Sequence, residues 1–112
     1  AEILAKEGIE AEVIDPRTIV PLDEETLLRS VKKTSRAIVI DEGHQSYGIT
    51  GEIASRLNEK AFYHLDAPVV RMGAMDVPVP FSPALEDLTV PTVEKVTAMA
   101  RRLVAGEMIH AA

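Results

Sequence analysis

Ala37-Ile38-Val39-Ile40-Asp41-Glu42-Gly43 is the stretch on which the fold turns: four apolar residues, then two acids and a glycine. A short, unbroken apolar run rich in β-branched residues and stopped by turn-forming ones predicts a central parallel strand covered on both faces. Parallel strands need crossover connections, so helices are expected on either side in sequence. Downstream, Ile49, Ile53, Ala54, Leu57 and Ala61 recur at helical spacing, and Val69, Val70 and Met72 after Pro68 predict a further strand. Upstream, Leu22-Asp23-Glu24-Glu25-Thr26-Leu27 reads as a helix start. Asp23 is suited to accept from a free backbone N–H, the two glutamates face the positive end of the dipole, and Leu22 and Leu27 stand at staple spacing. Leu27, Leu28 and Val31 form the inward stripe of that helix, with Lys32 and Lys33 in its last turn.

The flanks continue the alternation. Ala1, Ile3, Leu4 and Ala5 read as helix, stopped by Gly8, and Ala11, Val13 and Ile14 running into Asp15-Pro16 read as a short strand. A last helix carries Val93, Val96, Ala100, Leu103 and Val104 on one face, after which Gly106 begins a tail to Ala112. Between Gly73 and Pro91 the density of proline excludes a regular element, and connections of that length are often functional. This order predicts a doubly wound α/β domain over residues 1–105, in which ligands and partners meet the carboxyl ends of the strands. Asp15, Asp41 and Glu42 are expected there. The chain opens at Ala1, without a methionine, inside a helical pattern. That reads as a piece of a longer subunit.

Composition narrows the function. A length of 112 residues fits one core, and such a chain buries roughly two-thirds of its unfolded surface. The formal net charge is −6, which argues against binding nucleic acid or an anionic membrane. With no cysteine, thiolate catalysis, thiolate metal sites and disulfides are excluded. Neither a membrane-length apolar run nor a signal-peptide pattern is present, so the cytoplasm is the expected compartment.

Gly43-His44-Gln45-Ser46-Tyr47-Gly48-Ile49-Thr50-Gly51 places glycines between a strand and a helix, as phosphate loops do. A phosphate loop requires lysine directly after its second glycine, where Ile49 stands, and the glycine spacing fails the dinucleotide fingerprint. What survives is a helix amino terminus able to hold an anion or an acidic side chain, against a loop whose glycines merely permit a tight turn. Asp41, Glu42 and His44 are acid–base types at a strand end, yet no nucleophile elbow accompanies them. A polar interface or hydrogen-bonded loop role is therefore favoured for His44 over catalysis. His44, His64 and His110 match no metal-ligand spacing. Asp66 in Leu65-Asp66-Ala67-Pro68 reads first as a turn residue bonding its own backbone. Pro78-Val79-Pro80-Phe81-Ser82-Pro83 is apolar and rigid, which suits Pro80 and Phe81 to a subunit interface.

Taken in order, four motifs carry a resemblance: Val13-Ile14-Asp15-Pro16-Arg17-Thr18-Ile19-Val20-Pro21-Leu22-Asp23; Asp41-Glu42-Gly43 with Gly48, Gly51-Glu52-Ile53-Ala54; Leu65-Asp66-Ala67-Pro68-Val69-Val70-Arg71; and Asp76-Val77-Pro78-Val79-Pro80-Phe81. Together they resemble the carboxy-terminal, transketolase-type domain of the β subunits of thiamine-diphosphate-dependent 2-oxo acid and acetoin dehydrogenases, and Pro80 to Asp87 looks most like the acetoin or bacterial type. The resemblance implies a three-layer α/β/α fold with a mixed, mainly parallel sheet of about five strands, one of them before Ala1. It further implies that the cofactor's diphosphate and magnesium are held by the α subunit and that the glutamate activating the aminopyrimidine of thiamine diphosphate lies in the β subunit's amino-terminal domain, leaving no catalytic, cofactor or metal residue here. The implied partners are the α subunit and a second β subunit in an α2β2 assembly, and the peripheral-subunit-binding domain of the dihydrolipoyl acyltransferase. By position in the motif, Asp66 contacts basic residues of that binding domain. Relatives commonly stop soon after the last helix, where this chain continues from Gly106. Two other readings stay open: the same domain of a transketolase or deoxyxylulose-phosphate synthase, and a small-anion-binding regulatory domain.

Overall fold

Asp23 opens the first long helix as its sequence requires, its carboxylate accepting from the backbone N–H of Thr26 at 3.2 Å. The computed structural model describes residues 1–76 and 88–107. Its elements are α1 (Glu2–Ala5), α2 (Glu24–Thr34), β1 (Ile38–His44), α3 (Ile49–Ala61), a 3₁₀ turn (Phe62–His64), β2 (Val70–Ala74) and α4 (Val93–Ala105). Three helix ends are closed by left-handed residues. Gly8 at φ 80° follows α1, Ser35 at φ 65° ends α2, and Gly106 at φ 74° ends α4. After α4 the N–H of Gly106 reaches Leu103 O and that of Glu107 reaches Arg102 O, the paired bonds of a Schellman motif.

β1 and β2 run parallel, with Ile38 opposite Val70, Val39 opposite Arg71 and Ile40 opposite Met72. The crossover helix α3 lies against both strands and against α2. Their shared core is Val31 from α2 with Ile53, Leu57 and Ala61 from α3, closed over by Leu22, Leu27, Leu28, Val39 and Val69. The stripe of α2 and the staple pair thus do what their spacing predicts. α1 and α4 meet separately, joined by Glu7, whose two carboxylate oxygens both accept from Arg101 Nε at 2.9 Å.

The α/β class and the parallel pairing agree with the sequence, while several details differ. The sheet of the described residues has two strands, fewer than the five implied for a whole domain of this kind. Ala11 to Ile14 form no strand; Val13 is 78% exposed. A strand's N–H and C=O groups need a neighbouring strand, and here that segment is anchored through a side chain instead. Glu12 accepts from Ser30 Oγ and Lys33 Nζ on α2. β1 does not stop at Asp41 but continues to His44, and Ile40 is 47% exposed, so one face is open where cover on both was predicted. In α4, Val93 and Val104 lie outside the buried stripe, whose buried members are Thr97 and Leu103. The hydroxyl of Thr97 donates to Val93 O at 2.6 Å, which satisfies it inside the helix and lets it be buried. No helix of the described residues is long and apolar enough to cross a membrane.

Candidate functional site: the carboxyl edge of the sheet and the Asp66 corner

Because β1 and β2 are parallel, the residues that follow them meet at one edge. From Ile40 to His44 β1 advances four residues while its partner advances two, from Met72 to Ala74, so Asp41-Glu42-Gly43 forms a bulge. Asp41 turns its carboxylate back to accept from the Gly43 N–H at 3.1 Å. The bulge presses the backbone against β2, where Gly73 is required: a Cβ there would lie 2.9 Å from Gly43 O and 3.0 Å from Gln45 Cα. Gly48 is required for the same reason, since a Cβ would fall 2.2 Å from His44 O.

The loop that follows is fastened from β2. Gln45 N–H donates to Ala74 O at 3.0 Å, and Arg71 Nη1 donates to Gln45 O at 3.0 Å. Asp76 accepts from both the N–H and the hydroxyl of Ser46. The bonds from Ser46 hold the Asp76 carboxyl below its ordinary value, and the nearby charge of His44 adds a smaller pull. Asp76 thus holds Ser46, two residues ahead of the Gly48 N-cap, and no side chain of the described residues caps the amino terminus of α3. The N–H groups of Gly43, Gln45, Ser46 and Gly51 all have acceptors within the chain. His44 ends β1 opposite Ala74, and Glu42 lies exposed in the bulge. Asp15 is away from any strand end and pairs with the backbone and guanidinium of Arg17. Among the described residues no three His, Asp or Glu side chains converge as a metal-ligand set. Pro80, Phe81 and the tail beyond Glu107 lie outside the described residues.

The Ser46–Asp76 clamp carries a pH signature. A carboxyl lowered in the folded state stabilises fully above its unfolded value, ordinarily 3.8, and loses that contribution as pH falls through the lowered folded value. The Ser46 amide resonance is therefore expected to stay constant down to about pH 4 and to titrate below it, and to lose that titration in Asp76→Asn. A midpoint above 3.8 would contradict the clamp.

Asp66 occupies a different corner, between the 3₁₀ turn and β2. Its backbone N–H donates to Ser35 O at 2.8 Å, which ties it to the end of α2. The carboxylate does not bond its own backbone as the turn reading predicted; among the described residues its charged neighbour is Arg36, 4.0 Å away, and 62% of the side chain is exposed. Reading the sequence missed Arg36, Arg71, Gly73, Ser46 and Asp76 as structural determinants. Arg71 and Asp76 lay within the quoted motifs, but a pairing between a loop and the far end of another strand leaves no local pattern to find.

With this geometry, comparison with known proteins is informative. The sequence profile of the family described as "Transketolase, C-terminal domain" matches residues 1–96. The pea protein named pyruvate dehydrogenase E1 component subunit beta, mitochondrial, is 48% identical over 102 residues, covering 91% of this chain and 28% of that protein. The Bacillus subtilis (strain 168) acetoin:2,6-dichlorophenolindophenol oxidoreductase subunit beta is 46% identical over 107 residues, covering 96% of this chain and 31% of that protein. This chain thus spans less than a third of the length of these relatives. A match over most of its length, with a parallel sheet and its crossover helix in place, makes this chain a member of the transketolase carboxy-terminal domain family.

Proposed function

We propose that the chain is the carboxy-terminal assembly and docking domain of the β subunit of a 2-oxo acid or acetoin dehydrogenase, acting in the cytoplasm. The observation that carries the reading is the Asp66 corner: an exposed carboxylate whose backbone is fixed to the end of α2, in a chain 45–48% identical to named β subunits. A fixed, solvent-facing carboxylate on a negatively charged chain is suited to a basic partner surface. The partner is the peripheral-subunit-binding domain of the dihydrolipoyl acyltransferase, and the remaining faces serve the α subunit and the second β subunit.

Thiamine diphosphate and magnesium belong to this enzyme class, and the residues described here do not fit either group. In the loop before α3 the N–H groups of Gln45 and Ser46 are taken by Ala74 O and Asp76, the Asp76 carboxylate puts a negative charge beside it, and no lysine follows Gly48 to reach a phosphate. Cofactor chemistry is accordingly assigned to parts of the enzyme outside this chain. Asp66→Ala in the assembled enzyme is expected to weaken binding of the acyltransferase's binding domain by about 1–3 kcal/mol, because a charged partner is lost at an interface. Decarboxylation assayed with an artificial electron acceptor should continue. Unchanged affinity in calorimetry would remove Asp66 from the contact.

A further inference from the structure

Arg36 stands beside the carboxylate to which docking is assigned, and its contacts are unusual for an ion-pair partner. Its Nη1 is 4.0 Å from Asp66 Oδ2, the outer limit of pairing, with the Arg36 side chain 35% exposed. Its Nε is buried and has no acceptor among the described residues. A guanidinium that orients a carboxylate does so by two short parallel bonds, and neither is present. Asp66 is held instead by its backbone, through the N–H bond to Ser35 O, next to Leu65, whose own N–H bonds Phe62 O at 3.2 Å. Arg36 is likewise fixed at its backbone, where its carbonyl accepts from Thr34 Oγ1 at 3.1 Å. Of the two lysines in the last turn of α2, Lys33 is engaged by Glu12.

A cation placed there contributes little orientation but does oppose other cations. We propose that Arg36 is an attenuator of docking: it competes for the Asp66 carboxylate and repels an approaching ammonium or guanidinium, so that it sets how tightly a basic partner is held. The inference rests on the docking role of Asp66 and adds a residue that weakens it, which favours a partner able to exchange over one held permanently.

The test is calorimetry of the assembled enzyme with the acyltransferase's peripheral-subunit-binding domain, at low and high salt. Arg36→Met, which keeps an apolar stem, and Arg36→Gln, which guards against a folding defect in the first, are each expected to tighten binding by roughly two- to five-fold, the range of an exposed pair. The gain should shrink as salt screens it. Arg36→Lys keeps the charge and should remain near the native affinity, and in an Asp66→Asn background the gain from Arg36→Met should be smaller, because only the repulsion is then relieved. Binding unchanged or weakened by both neutral variants, while Asp66→Asn still weakens it, would overturn attenuation alone. A gain undiminished in the Asp66→Asn background would overturn it as well, since Arg36 would then not be competing for Asp66. Full affinity in Asp66→Asn itself would instead remove the docking role, and attenuation with it.

Discussion

Leu57→Ala is expected to destabilise the domain by about 2–5 kcal/mol, the cost of emptying a well-packed leucine site. Leu57 is 3% exposed and sits in the cluster with Val31, Ile53 and Ala61 where α2 and α3 meet behind the sheet. Alanine is the best helix former, so the substitution leaves the propensity of α3 intact and isolates the packing loss. For a domain of this size the melting temperature should fall on the order of 10 °C or more. Val93→Ala and Val104→Ala, at exposed positions of α4, are the matching controls and should change stability by less than about 0.5 kcal/mol. Thermal and urea unfolding of the 112-residue chain measure all three. Equal losses at Leu57 and Val104 would place the core elsewhere.

Gly48→Ala should be the most damaging of the single-methyl changes. The added Cβ would stand 2.2 Å from His44 O, a backbone atom that cannot move without disturbing the end of β1. Overpacking of this kind costs about 1–3 kcal/mol and here has a specific local consequence. Moving the turn draws Ser46 off Asp76, so the Ser46 amide should shift at neutral pH to resemble its position in Asp76→Asn. Gly8→Ala gives a useful contrast, since nothing lies within 4 Å of its Cβ and its cost arises only from φ 80°. A fully tolerated Gly48→Ala, with the Ser46 resonance unmoved, would mean the turn is looser than described.

What the sequence made legible follows from the range of the interactions. Helix starts and stops are written within four residues, and Asp23, Lys32, Gly8 and Gly106 fall where capping and dipole rules place them. The Ala37–Ile40 run and the Ile49–Ala61 stripe were equally plain, because burial imposes their periods directly. Ala11 to Ile14 misled because an apolar, β-prone segment becomes a strand only when a neighbour accepts its hydrogen bonds, which no local pattern specifies. The extension of β1 into Asp41-Glu42-Gly43-His44 was hidden for a related reason. Turn-forming residues end a strand or bulge it depending on the partner, and here the partner supplies Gly73 at the point of close approach. At the carboxyl edge, Glu42, Gly43, His44, Gly48 and Gly51 were recognisable as one loop. Their fastening by Arg71 and Asp76 spans about thirty positions of sequence and was not recognisable. At the other corner the motif pointed to Asp66, while its neighbour Arg36 emerged only when the end of α2 was brought against the 3₁₀ turn.

The central claim is a division of labour: this domain docks and assembles, and the chemistry is carried elsewhere in the enzyme. Its sharpest test is isothermal titration of the 112-residue chain with thiamine diphosphate in the presence of magnesium. The account predicts no saturable heat, because the Ser46 amide is held by Asp76, whose negative charge opposes a diphosphate there, and no lysine follows Gly48. Stoichiometric binding, abolished by Gly48→Ala, would contradict it.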